Sequence, residues 1–230
     1  MENVAPSTHL EMLAPGQIRT VVTCVARVLA DSERTGDIMV AEELTAQAQL
    51  RHLLSTGIFD ARGTRSLLAD RPNLANADFD ALAALPAHTL GGALARFHSD
   101  NGLSRDIYDV PAQYTDDPDA AYLMERMRHS HDIWHVLTGL GIAGHEEILL
   151  HAFSLAQTGM PSSIALMALG GLKHMLFEGR FRMLAFGMRE AYAAGRAAER
   201  LLPIRWEDHW ETPVTELRQR YGITPLTDIH

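Results

Sequence analysis

The stretch HDIWHVLTGLGIAGHEEILLHAF (131–153) carries two histidines four residues apart, His131 and His135. On a helix that spacing puts both imidazoles on one face, about 6 Å apart along the axis. Helices use this arrangement to present two nitrogen ligands to one metal ion. Asp132 is rotated about 100° from His131 and about 60° from His135, where it could ligate the same ion or orient an imidazole. Glu147 lies about 18 Å beyond His135 if one helix runs on. Gly139, Gly141 and Gly144 interrupt the run, so the chain can reverse there. The spacing predicts helices over 118–138 and 145–157 joined by a sharp turn at 139–144. Glu146 and Glu147 then sit in the first turn of the second helix, and Glu147 could close the site.

Plainer readings stand beside this one. Glutamates at a helix start suit the positive end of its dipole. His129, His145 and His151 fall off the favoured face and read as surface. His174 and Glu178, also four apart, read as a second cluster or as an ordinary helix pair. Arg126 and Arg128 could clamp a carboxylate, but pairing of Arg128 with Asp132 one turn on is the preferred reading. Two imidazoles with two carboxylates and no thiolate suit Zn²⁺, Fe²⁺ or Mn²⁺ better than Mg²⁺ or Ca²⁺.

Outward from this stretch the residue types read helical nearly throughout, with Ala, Leu, Met, Glu and Arg dominant and β-branched runs scarce. The main such run, VVTCV (21–25), lies where Ile18, Val21, Val22, Val25, Val28 and Leu29 recur at helical spacing. Further helices are predicted at 40–54, 78–84, 88–100, 162–202 with a break at Gly170-Gly171, and 211–221. Loops are marked by RTGD (34–37), DRPN (70–73), DNG (100–102) and YDVPAQYTDDPD (108–119). Leu184, Met188, Ala191, Gly195, Ala198 and Leu202 form a seam of small and apolar residues for a neighbouring helix. Arg182, Arg189, Arg196 and Arg200 form a separate stripe, read as a solvated face. No repeat or long linker divides the chain, so the expectation is an all-α, single-domain helical bundle over 1–230, with a metal site between a helix–turn–helix pair.

With 230 residues, 47% hydrophobic and 21% charged, the composition is that of a globular protein and excludes a disordered one. A net charge of −9 argues against nucleic-acid binding through phosphate contacts. The single cysteine, Cys24, makes no internal disulfide and reads as core in a reducing compartment. The apolar stretch 161–172 falls short of the roughly 18–20 residues of a membrane helix. The first residues, MENVAPSTHLEML, resemble neither a signal peptide nor an Arg-rich transit peptide. The expected place is therefore the cytoplasm, peripheral on the inner face of the cell membrane.

His131, Asp132, His135 and Glu147 fit the H-D-x-x-H…E signature of the coenzyme Q (ubiquinone) biosynthesis protein 4 family, and the sequence resembles that family well beyond it. The likeness runs through RTGDIMVAEEL (34–44), LPAHTLGGALARFHSDNGLS (85–104), DPDAAYLMERMRHSHD (117–132), QTGMP (157–161) and RWEDHWETPVTELRQRYGI (205–223). Glu146 stands where that family usually has glycine, and GLGIAG (139–144) lacks a proline common there. The resemblance implies an all-helical fold and a divalent ion, usually taken as Zn²⁺, held by those four side chains. It implies decarboxylation, oxidative in some views, at ring carbon 1 of a polyprenylated 4-hydroxybenzoate-type precursor. The alternative is a non-catalytic lipid-binding scaffold that organises a quinone-biosynthesis complex. Expected partners are the polyprenylated aromatic substrate, other quinone-biosynthesis proteins, a membrane surface and a second copy in a dimer.

Overall fold

Ten helices are named here in a computed structural model that describes residues 13–31, 34–59, 65–104, 111–168 and 181–227. They are α1 (Pro15–Ala30), α2 (Thr35–Ser55), α3 (Arg65–Asp70), α4 (Phe79–Ala83), α5 (Leu90–Asn101), α6 (Pro118–Thr138), α7 (Gly144–Thr158), α8 (161–168), α9 (Phe181–Ala197) and α10 (Val214–Arg220). Among the described residues no strand forms, and Thr89 and Pro213 make an isolated antiparallel bridge. The fold is all-helical.

α6 is the axis of the arrangement. Asp117 caps its start, its carboxylate accepting the Asp119 and Ala120 backbone N–H groups at 2.9 and 3.3 Å. Pro118 follows, where its missing N–H costs nothing. The N-terminal half of α6 buries Ala120, Leu123 and Met124 against Leu50 and Leu53 of α2, Leu67 of α3 and Met160. Its C-terminal half buries Ile133, Trp134 and Leu137 in a second cluster with Leu90 and Leu94 of α5, Leu149 and Phe153 of α7, and Leu217 of α10. One helix thus joins both cores, and the histidine pair lies where it enters the second.

The end of α6 is closed from a distance. Gly139 takes the left-handed conformation (φ +76°) that stops the helix, and its N–H donates to the His135 carbonyl at 2.8 Å. Arg218 of α10 donates to the Leu137 and Val136 carbonyls at 2.8 and 3.1 Å, and the Leu226 N–H reaches Thr138 O at 2.8 Å. Carbonyls that a helix end leaves without intrahelical donors are therefore satisfied by chain about eighty residues on. The reversal to α7 is short. Glu146 folds back over it, accepting from Gly141 N at 2.9 Å and Ala143 N at 3.3 Å.

α7 lies against α9 along the predicted seam, with Leu184, Ala191 and Ala198 buried. A Cβ on Gly195 would stand 2.5 Å from the Phe153 carbonyl oxygen, so only glycine admits this approach. Several boundaries differ from expectation. α2 begins at Thr35, inside the segment read as an RTGD loop, with Asp37 in its first turn favouring the helix start. α3 was not predicted, and α9 ends at Ala197 rather than at 202. Ile18 and Val22 of α1 face outward, although both belong to its apolar set. Arg200 is not on a solvated face: it donates to the Ala156 and Gln157 carbonyls at 3.2 and 2.7 Å, near the end of α7. Gly170-Gly171, His174 and Glu178 lie outside the described residues, as does the Arg182 side chain.

Candidate metal centre

The α6–α7 hairpin brings three side chains to one point. His131 Nε2 and His135 Nε2 are 3.1 Å apart. Glu147 places Oε2 3.4 Å from the first nitrogen and Oε1 3.3 Å from the second. Four ligands on tetrahedral bonds of about 2.0–2.1 Å would be separated by roughly 3.3 Å, so the triangle has the dimensions of a ligand set. Asp132 adjoins the histidine pair, and one of its oxygens lies with a His131 and a His135 nitrogen within 4.8 Å of one another. Glu147, rather than its neighbour, turns inward because Glu146 is held by the turn.

Two of the ligand candidates are oriented by neighbours. His135 is 1% exposed, and its Nδ1 lies 3.2 Å from the Leu140 carbonyl, to which an Nδ1–H donates. That tautomer leaves the Nε2 lone pair facing the centre. The ring also stacks on Phe97 of α5, centroids 5.1 Å apart. Asp132 Oδ2 is 2.8 Å from His98 Nε2, also on α5, and the His98 ring packs against Phe79 at 4.8 Å. His131 and Glu147 are about one-third exposed, 34% and 32%, so the centre opens on their side.

The charges are strongly linked. Burial pushes the Glu147 carboxyl up, but hydrogen bonds and charge from His131 and His135 outweigh it and hold it well below the usual range. Burial pushes His131 down, while its bond to Glu147 and that charge raise it overall. His151, one turn after Glu147 on α7, packs 5.9 Å from the His131 ring. Burial, aided by the charge of His131, lowers it to about 4, which leaves it neutral near pH 7.

Several expectations need correction. His151 borders the centre instead of the surface, as its i+4 spacing from Glu147 would have indicated. His129 is buried, on another face of α6. Arg128 pairs with Glu42 and Glu43 of α2, while Asp132 goes to His98. The Arg128–Asp132 pairing fails because α2 packs against this turn of α6 and offers two carboxylates. Arg126 is no clamp for a ligand at this centre: it is buried and grips Glu207 with two 3.0 Å bonds and the Ile204 carbonyl at 2.7 Å. His98 and Phe97 were missed. They lie more than thirty positions before Asp132 and His135, and no spacing rule links α5 to α6.

A family model described as coenzyme Q (ubiquinone) biosynthesis protein Coq4 matches residues 7–227. The chain belongs to that family. It is 32% identical over 195 residues to the Botryotinia fuckeliana ubiquinone biosynthesis protein coq4, covering 84% of this chain and 68% of that one. With the Yarrowia lipolytica protein it shares 31% over 257 residues, covering 100% and 96%. A crystal structure from Nostoc punctiforme, described as that of a ubiquinone biosynthesis protein, superposes with a TM-score of 0.70 at 27% identity, over 89% of this chain and 97% of that one. Family membership places the chain among ubiquinone biosynthesis proteins. The expected cytoplasmic location is overturned, because the Botryotinia, Xenopus laevis and Yarrowia relatives are all named mitochondrial. Among the described residues no helix is long and apolar enough to cross a membrane.

Proposed function

We propose that this Coq4 family member is a metal-dependent decarboxylase acting at ring carbon 1 of a polyprenylated 4-hydroxybenzoate-type precursor. His131, Asp132, His135 and Glu147 would hold one divalent ion, Zn²⁺ first, with Fe²⁺ and Mn²⁺ compatible with the donor set. The observation that carries this reading is the 3.1 Å separation of the two Nε2 atoms. Two ring lone pairs so close repel unless a proton or a cation lies between them. When bound, such an ion supplies Lewis acidity toward a substrate carboxylate or phenolate oxygen.

The protein's own part is positioning. Leu140 O fixes the tautomer of His135, His98 fixes the rotamer of Asp132, and Phe97 stacks on the His135 ring and holds its plane. The substrate's para hydroxyl lets ring carbon 1 take a proton, giving a dienone-like tautomer whose ring receives the electrons of the broken C–C bond as carbon dioxide leaves. Exposed Ile164 on α8 and Met183 and Phe186 on α9 support contact with a lipid surface, where a polyprenylated substrate resides. They equally suit the scaffold reading, in which the helices bind the tail without chemistry. Carbon dioxide release from a prenylated 4-hydroxybenzoate, measured with and without chelator, separates the two. Release that stops on metal removal supports the enzyme; tight binding with no release in the metal-loaded protein supports the scaffold.

A further inference from the structure

A second set of polar groups lies where α2 meets α6 and α8. Ser162 Oγ donates to Glu42 Oε1 at 3.1 Å. Arg128 Nε stands 3.8 Å from Glu42 Oε2, an ion-pair distance too long for a hydrogen bond. The Arg128 side chain is 6% exposed, and only its Nη2 is committed, to the Met39 carbonyl at 3.1 Å and Glu43 at 3.5 Å. Its Nε and Nη1 are buried without an acceptor. Glu43 is committed by Arg128 and by the Tyr114 backbone N–H. Among the described residues no hydrogen bond reaches Glu42 Oε2, although the side chain is only 21% exposed. Glu42 and His131 also lie close enough for each to act on the other's charge.

A largely buried carboxylate oxygen without a donor is costly, and a ligand donor would remove that cost. The surroundings restrict the donor. Arg128 beside Oε2 repels a cation, and Glu42 with Glu43 repels an anion. A neutral hydroxyl fits. We propose that Glu42 reads the phenolic hydroxyl of the aromatic substrate, Oε2 accepting its O–H while the other end of the ring lies toward His131, Asp132, His135 and Glu147. This inference rests on the quinone-precursor reading above. Burial pushes the Glu42 carboxyl up, and the charge of Arg128 and the Ser162 hydrogen bond act against that shift.

The test is calorimetric binding of 3-prenyl-4-hydroxybenzoate and its 4-methoxy counterpart to the full chain, with zinc content measured in parallel. The unaltered protein should prefer the hydroxy ligand by about 10- to 100-fold, the span of one hydrogen bond to a charged group. Glu42→Ala should cut the preference to within about threefold at unchanged zinc content, and Glu42→Gln, a weaker acceptor, should fall between. A merely structural role would weaken both ligands alike. Equal binding of the two ligands by the unaltered protein overturns the proposal, as does a preference that survives Glu42→Ala. If Glu42→Ala fails to fold, Glu42→Gln decides on the same terms, joined by Ser162→Ala with a smaller expected loss. A preference that depends on Glu42, with no carbon dioxide released by the metal-loaded protein, sinks the decarboxylase reading and keeps this one. Failure of the unaltered protein to bind either ligand overturns both.

Discussion

His135 Nδ1 lies 3.2 Å from the carbonyl oxygen of Leu140, five residues on and already past the left-handed Gly139. The reversal that ends α6 therefore also orients the imidazole inside it. Geometry of the turn and geometry of the centre are one property.

His135→Ala and Glu147→Ala should each abolish stoichiometric zinc binding while leaving helical content nearly unchanged. A core shared by α6 with seven other helices does not depend on an ion to fold. Elemental analysis and circular dichroism of the purified variants check this. Glu146→Ala should behave in the opposite way. It should keep its metal and lose about 1 kcal/mol of stability, because Gly141 N and Ala143 N lose their acceptor. Loss of metal in Glu146→Ala with retention in Glu147→Ala would reverse the assignment.

His98→Ala removes the partner of Asp132 without touching a ligand candidate. Zinc affinity should fall about 10- to 100-fold, the usual effect of removing a group that orients a ligand. Competition with a chromogenic chelator gives the number, and an unchanged affinity would place Asp132 outside the ligand set.

Gly195→Ala should be among the most damaging single-atom additions in the chain. The new Cβ would meet the Phe153 carbonyl at 2.5 Å and the Ala156 methyl at 2.9 Å. Backbone cannot yield as a flexible side chain does, so a loss of about 1–3 kcal/mol is expected in urea denaturation.

Metal-free protein should lose stability as pH falls from 6.5 toward about 4. His151 is lowered to about 4 in the folded state, against 6.5 when unperturbed. Within that window the unfolded chain binds the extra proton and the folded one does not, so acid favours unfolding. Comparison of thermal midpoints of the unaltered protein and His151→Gln across this range isolates the contribution. The variant should show the shallower dependence.

The α6–α7 hairpin was legible because every determinant is local: Asp117 and Pro118 at the start, glycines at the reversal, and two histidines at i and i+4. The observed bounds, Pro118–Thr138 and Gly144–Thr158, lie within a residue of those predicted. The α7–α9 seam was legible for the same reason, since Ala191, Gly195 and Ala198 recur at helical spacing. What surrounds the histidines was not. The pairing of Asp132 with His98 rather than Arg128 depends on which helices flank α6, and that follows from the packing of both cores together. Glu42 lies in the RTGDIMVAEEL (34–44) stretch that carries the resemblance, but its contacts were not legible, because Arg128 of α6 and Ser162 of α8 reach it only once both helices pack on α2.

The long-range closure of α6 has a consequence for synthesis of the protein. Arg218 and Leu226 leave the ribosome well after His131, His135 and Glu147, yet they complete the turn that holds His135. A nascent chain displaying the whole ligand motif still lacks the donors that finish its helix. Ion capture by the growing polypeptide should accordingly be weak and reversible until α10 docks. Under the proposed ligand assignment, docking of α10 would come first and firm metallation second.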